Sequence, residues 1–345
     1  MTAKYSTDGT PPLQDLLAAR AATGTVGKSG STLADGVLSG YEWNSASITY
    51  AFPDQRGDYG YRGERDKGFS EVNGSIKNAV RWTLDQSYGN AANDGFSVEG
   101  LTNLSVSAGN DRDADIRYGE SRMANPTAYA YYPVSGENAG DVWFGTSKIL
   151  TTPKPGHYAF ATVIHETGHA LGLKHGHASD KFDLIRATLP ARYDSLEYSI
   201  MTYHSYVGQK GGSGYTNELN GFPQSFMMAD ILALQHMYGA DYTTNSGDTV
   251  YSWSPKSGNT LVDGAVGIKA AANRIFATIW DGGGNDTYDL SAYKSGVDID
   301  LRPGQSSTFQ TSQLADLDRF QGGKLASGNI YNALLNNGNQ ASLIE

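Results

Sequence analysis

The chain has 345 residues, a formal net charge of −10, a pI of about 5.1 and 39% hydrophobic residues without a long apolar run. That supports a sizeable core and argues against a transmembrane segment, and an acidic surplus with no Lys/Arg cluster argues against a nucleic-acid partner while suiting divalent cations. Cysteine is absent, which removes disulfides, thiolate metal ligands and any cysteine-based latency switch.

Residues 1–40 are rich in Thr, Ser, Ala and Gly, with one short helical segment expected at Leu13–Ala22. They read as a flexible lead or propeptide. The same stretch lacks a basic segment followed by an apolar one, so export would use a route other than an N-terminal signal peptide. From Tyr41 the pattern sharpens: Ser47–Phe52 alternates like a strand and stops at Pro53, and Ile76, Ala79, Val80 and Leu84 then fall at helical spacing. Strand-like segments follow at Phe96–Leu101, Ala114–Tyr118, Ala128–Tyr132 and Asp141–Phe144, the makings of a twisted mixed sheet backed by helices. A helix is expected over 158–173, after Pro155-Gly156, and another over 224–238, with Gly239 as its stop. Beyond Ala240 the texture turns to Gly, Asn, Asp, Ser and Thr with isolated apolar residues, which marks a second, β-rich region over 241–345. The 42 glycines and 22 tyrosines of the chain fit β-structure and tight turns.

The expected helix at 158–173 runs into the pattern HExxHxxGxxH, from His165 to His175. Four residues apart on a helix, His165 and His169 share a face and converge on one ion, while Glu166 projects about 100° further round, placed to act as general base without being a ligand. Gly172 permits the left-handed residue that ends the helix and swings His175 back as third ligand. Three neutral imidazoles with an open position make a catalytic zinc site, and the reaction indicated is peptide hydrolysis with Glu166 handling the proton. The other histidines, His157, His177, His204 and His236, lack ligand spacing and read as ordinary surface or core residues, with His177 and His204 as candidates for the cleft wall.

Downstream, Tyr198-Ser199-Ile200-Met201-Thr202-Tyr203 places Met201 26 residues after His175. The extended histidine motif with this Met-turn resembles the serralysins of the metzincin clan. The resemblance covers about 38–345, including Gly40-Tyr41-Glu42-Trp43 and the stretch Phe226–Gln235. It implies an α+β fold: a metzincin protease domain over 41–240, with a twisted mixed sheet, zinc helix and C-terminal helix, followed by the start of a calcium-binding β-roll. It implies that Met201 cushions the zinc histidines and that Tyr203 binds the resting metal and swings to stabilise the oxyanion. Asp141, Val142, Trp143 and Phe144 then look like the edge strand against which substrate lies.

Calcium ligands carry over by position. Asp281, Gly283, Gly284 and Asp286 match an Asp-x-Gly-Gly-x-Asp loop, Asn245, Gly247 and Thr249 match its partner turn, and Glu345 falls where a closing carboxylate belongs. In two places the chain departs from the serralysin pattern: Gly176-His177 follows the third histidine where Pro is usual, and the sequence ends at Glu345 just where tandem repeats would begin. The expected protein is an extracellular or cell-surface zinc endopeptidase acting on proteins or peptides, with calcium as structural cofactor and a proteinaceous inhibitor as a further partner. The rival is a catalytically silent metzincin scaffold that binds peptides or a surface layer; a third reading keeps the zinc chemistry for a non-peptide amide.

Overall fold

The computed structural model describes residues 20–89, 92–210, 214–320 and 323–344. In chain order the first elements are β1 (Thr23–Thr25), α1 (Thr32–Val37), β2 (Tyr41–Trp43), β3 (Ser47–Ala51), β4 (Ser70–Glu71), α2 (Gly74–Leu84), α3 (Val98–Leu101), β5 (Ser105–Ala108), β6 (Ile116–Glu120), β7 (Ala128–Ala130) and β8 (Val142–Phe144). Strands β5, β3, β6, β8 and β7 lie side by side in that order, with β4 also paired to β6. The β5/β3/β6/β8 pairings are parallel, whereas β7 runs antiparallel to β8. Helices α2 and α4 (Tyr158–Ala170) pack together beside this sheet, where Trp82 meets Phe160 at 5.3 Å and stacks on Phe96 at 6.1 Å. Each such aromatic contributes about 2 kcal/mol by burial.

Helix α5 (Met228–Tyr238) closes this part, and the rest is strand: β9 (Val250–Ser254), β10 (Ser257–Val262), β11 (Ala265–Ile268), β12 (Ala277–Ile279), β13 (Thr287–Asp289), β14 (Ser306–Ser307) and β15 (Ile330–Asn332). They form a four-stranded sheet in the order β11, β10, β9, β13 and a three-stranded sheet in the order β12, β15, β14. Pairs β9/β13 and β12/β15 are parallel. The fold is therefore mixed α and β, with few helices and several sheets.

Several expectations from the sequence change. Residues 20–40, expected in a loose lead, are built in: β1 pairs with β2, and the apolar stripe Ala34, Val37 and Leu38 buries α1 against α5. The helix expected at Leu13–Ala22 falls mostly outside the described residues, and 20–22 are not helical. Phe96–Leu101 is not a strand. Ser97 caps α3 by accepting the Gly100 N–H at 3.1 Å, and a side chain at 100 would stand 1.7 Å from the Asp94 carbonyl, so a local cap overrides the alternation of apolar residues. Residues 224–227 are not helical either, because Gln224 and Ser225 bond instead to the backbone of Phe276 and Thr278 beside β12.

Candidate active site and cation loops

Helix α4 is buried on all sides from Ala159 to Ala170, as befits a core helix. Its C-terminus is a Schellman turn: Gly172 N–H donates to His169 O (2.9 Å) and Leu173 N–H to Gly168 O (2.8 Å), with Gly172 at φ 108°. A Cβ at 172 would stand 2.1 Å from the Tyr41 carbonyl oxygen. The remaining carbonyls of this turn are taken by side chains from the N-terminal part and α5. Trp43 Nε1 donates to Ala170 O (2.9 Å), Tyr238 Oη to Leu171 O (2.6 Å) and Ser39 Oγ to Gly172 O (2.6 Å).

This turn orients the histidines. His169 Nδ1 lies 2.7 Å from Leu173 O, and His165 Nδ1 lies 2.8 Å from Ile200 O. A carbonyl only accepts, so both Nδ1 atoms carry the proton and both Nε2 atoms offer lone pairs. His165 Nε2 is buried without a hydrogen-bond partner, and His169 Nε2 faces His175 Nε2 at 3.2 Å. The three histidines bring nitrogen atoms within 4.8 Å of one another. Burial lowers all three basicities, His165 to about 3 and His169 to about 4, which keeps the imidazoles neutral. Ring nitrogens this close, two of them offering lone pairs, can close on one cation.

Glu166 is buried beside them, and its Oε2 has no hydrogen-bond partner; burial pushes the carboxyl up to about 8. Met201 is fully buried under the helix, where a side chain at Gly168 would stand 2.8 Å from its Sδ. Its carbonyl accepts Gly176 N–H at 2.9 Å, which ties the third-histidine loop to the Met201 turn. The Tyr203 ring stacks over His165 (5.7 Å) and tilts against His175 (4.5 Å) and His177 (4.7 Å), and burial raises its phenol to about 12.

In the C-terminal region the segments around 245–249 and 281–286 lie against each other. Thr249 Oγ1 lies 3.0 Å from Asn245 O and 3.1 Å from Gly247 O, and Thr249 N–H donates to Asp286 Oδ1 at 3.0 Å. Asp281 receives Gly283 N–H (2.8 Å) and the Tyr251 hydroxyl (2.7 Å). A Cβ at Gly284 would stand 2.0 Å from Gly247 O, so the two turns touch only because residue 284 has none. Asp281 and Asp286 are both buried, and burial together with the neighbouring carboxylate raises Asp281 to about 7. Paired buried carboxylates among carbonyl oxygens are the donor set of a hard cation. Glu345 lies outside the described residues.

Residues 240–312 match the family model described as "Peptidase M10 serralysin C terminal". The chain is 32% identical to a serralysin of Proteus mirabilis over 272 residues, 76% of this chain and 53% of that protein. It is 32% identical to metalloprotease AprA of Pseudomonas entomophila (55% of this chain, 40% of that protein) and 34% identical to serralysin C of Dickeya chrysanthemi (52% and 36%).

The chain is similar to the serralysins over much of its length.

It spans about half the length, or less, of the serralysins it matches. One expected site of this serralysin relative is corrected by the topology. Asp141, Val142, Trp143 and Phe144 do not form an edge: β8 lies between β6 and β7, and all four side chains are buried, with Asp141 in an ion pair with Arg117 at 2.8 Å. The edge is β7. Gly145 N–H donates to Thr127 O (2.7 Å) and Tyr131 N–H to Asp141 O (2.9 Å), so Ala128 and Ala130 turn their backbone groups outward. Two cavities meet along this edge at Ala128, Glu166 and Tyr203: one of about 270 Å³ against Tyr158, Thr162 and Tyr215, and one of about 560 Å³ against Tyr41, Tyr132 and Phe182. The sequence reading also passed over Asp230, whose buried carboxylate accepts Ile200 N–H (2.8 Å), Met227 N–H (3.0 Å) and the Ser199 hydroxyl (2.5 Å). It thereby fixes the residue whose carbonyl orients His165. The signal was there in an acid inside an otherwise apolar helix.

Proposed function

We propose that this chain is a zinc-dependent endopeptidase that cleaves extended peptides lying antiparallel along β7. One observation carries the reading: three imidazoles turn ring nitrogens toward one point, two of them offering lone pairs because Nδ1–H donates to a carbonyl, beside a buried, unpartnered carboxylate oxygen. His165, His169 and His175 would hold the zinc, which supplies a Lewis acid for the carbonyl and lowers the pKa of a water. The outward N–H and C=O of Ala128 and Ala130 align the substrate backbone. Glu166 takes the proton of the attacking water and returns it to the amine nitrogen as the C–N bond breaks. Tyr203, stacked over His165 and tilted against His175, serves the oxygen that gathers negative charge. Met201 and Gly172 hold the ligands in place.

In this reading residues 41–240 form a metzincin protease domain and 241–345 the foot of a calcium-binding β-roll, with Asn245, Gly247, Thr249, Asp281, Gly283, Gly284 and Asp286 around a calcium ion. Residues 1–40 are a lead whose second half docks on the protease, and the natural setting is extracellular or at the cell surface, with protein substrates and a proteinaceous inhibitor as partners. The test is digestion of casein with and without a zinc chelator. Chelator-sensitive cleavage that Glu166→Ala abolishes is expected. Absence of cleavage by the wild type, or undiminished cleavage by Glu166→Ala, would favour a silent binding module instead.

A further inference from the structure

We propose that Phe182, with Tyr41 and Tyr132, forms a subsite for a large apolar side chain on the N-terminal side of the cleaved bond. This rests on the peptidase reading and names the substrate class it serves. A peptide antiparallel to β7 runs from Tyr132 toward Ala128, so its N-terminal part enters the cavity of about 560 Å³ that these three residues line. Tyr132 packs on His169, with ring centroids 5.8 Å apart, so at about 3.3 Å per residue the side chain meeting it belongs to the second or third residue before the cleaved bond.

The walls are aromatic. Tyr41 and Tyr132 stack at 6.0 Å with 27° between their planes, and Tyr132 meets His169 edge-on at 5.8 Å. Phe182 is 65% exposed, among the most exposed large apolar residues described. It is held there by its backbone: the Tyr41 hydroxyl donates to Phe182 O (3.0 Å), Phe182 N–H donates to Asp180 Oδ1 (3.2 Å), and Leu184 N–H donates to Ser39 O (2.8 Å). The Tyr132 hydroxyl donates to Asp183 Oδ1 (3.2 Å), which fixes the opposite wall to the same loop. Lys181 Nζ lies over one face of this phenyl ring, 4.9 Å from its centroid, and the rest of the ring stands open at the mouth of the cleft on a pinned loop, where a substrate side chain can cover it. The cavity is continuous with Glu166, His169 and His175, so the occupant is the substrate itself.

The experiment uses fluorogenic octapeptides that differ only at the second or the third residue before the cleaved bond, carrying Phe, Leu, Ala, Asp or Arg. The wild type is expected to prefer Phe or Leu over Ala at one of these places by about tenfold in kcat/KM, mainly through KM. Phe182→Ala is expected to bring that ratio near one, and Phe182→Leu to restore most of it. Phe320→Ala, at another exposed phenylalanine, should keep the wild-type ratio. Equal rates across the set, a preference for Arg or Asp, or a preference that survives Phe182→Ala overturns the subsite while leaving the peptidase reading intact. Failure to cleave any peptide overturns both.

Discussion

Replacing Asp230 by Asn should change how stability depends on pH. Asp230 is fully buried, and burial pushes its carboxyl from 3.8 up to about 7 even though three donors pull the other way. A folded-state pKa above the unfolded one gives stability that is present below pH 3.8 and is lost as pH rises through about 7. Between pH 5.5 and 8 the unfolded chain has already shed this proton, so the wild type loses about 2 kcal/mol over that window. An Asn oxygen can keep both backbone N–H bonds, and the change at Ser199 costs roughly 0.5–1.5 kcal/mol at any pH. The variant is therefore expected to be about 1 kcal/mol less stable at pH 5.5 and about as much more stable at pH 8. Urea unfolding of both proteins across this window, at fixed zinc and calcium, measures the difference, from which titrations common to both proteins cancel. A difference that stays constant with pH would refute a proton held on Asp230.

Three further outcomes follow from the geometry. Gly172→Ala forces a Cβ against the Tyr41 carbonyl at φ 108°, and should cost about 3 kcal/mol or more in chemical unfolding together with a marked loss of zinc affinity. Calcium should raise the Tm of the wild type and Asp281→Asn should remove most of that rise; a calcium-dependent Tm equal to wild type would remove the ion from this loop. Tyr203→Phe should lower kcat about 10²-fold or more with little change in KM, and an unchanged kcat would leave the ring a packing role alone.

The three-histidine group was legible because its members lie within eleven residues and the helical period sets two of the three. Met201 and Tyr203 were legible through family pattern, and the aspartate loop through its glycines. What stayed hidden depends on pairing between distant segments. Asp141–Phe144 reads as well as Ala128–Ala130 for an edge strand, since both are short and apolar. Only the sheet order, with β8 between β6 and β7, tells them apart. The docking of 20–40 was hidden for the same reason: α1 is six residues long, too short to carry a periodic signal, and is held by α5, almost 200 residues on. Asp230 stands out as an acid in an apolar helix, but its role shows only when the turn at Ser199–Met201 folds over it.

Metal analysis beside activity tests the central claim most directly. Purified wild type, Glu166→Gln and His169→Ala would each be dialysed against trace zinc, and bound zinc measured by mass spectrometry alongside peptide cleavage. The account predicts one zinc per chain in the wild type, with cleavage; one zinc in Glu166→Gln, with cleavage lowered by several orders of magnitude; and little zinc or cleavage in His169→Ala. Full zinc in His169→Ala, or wild-type cleavage by Glu166→Gln, would contradict it.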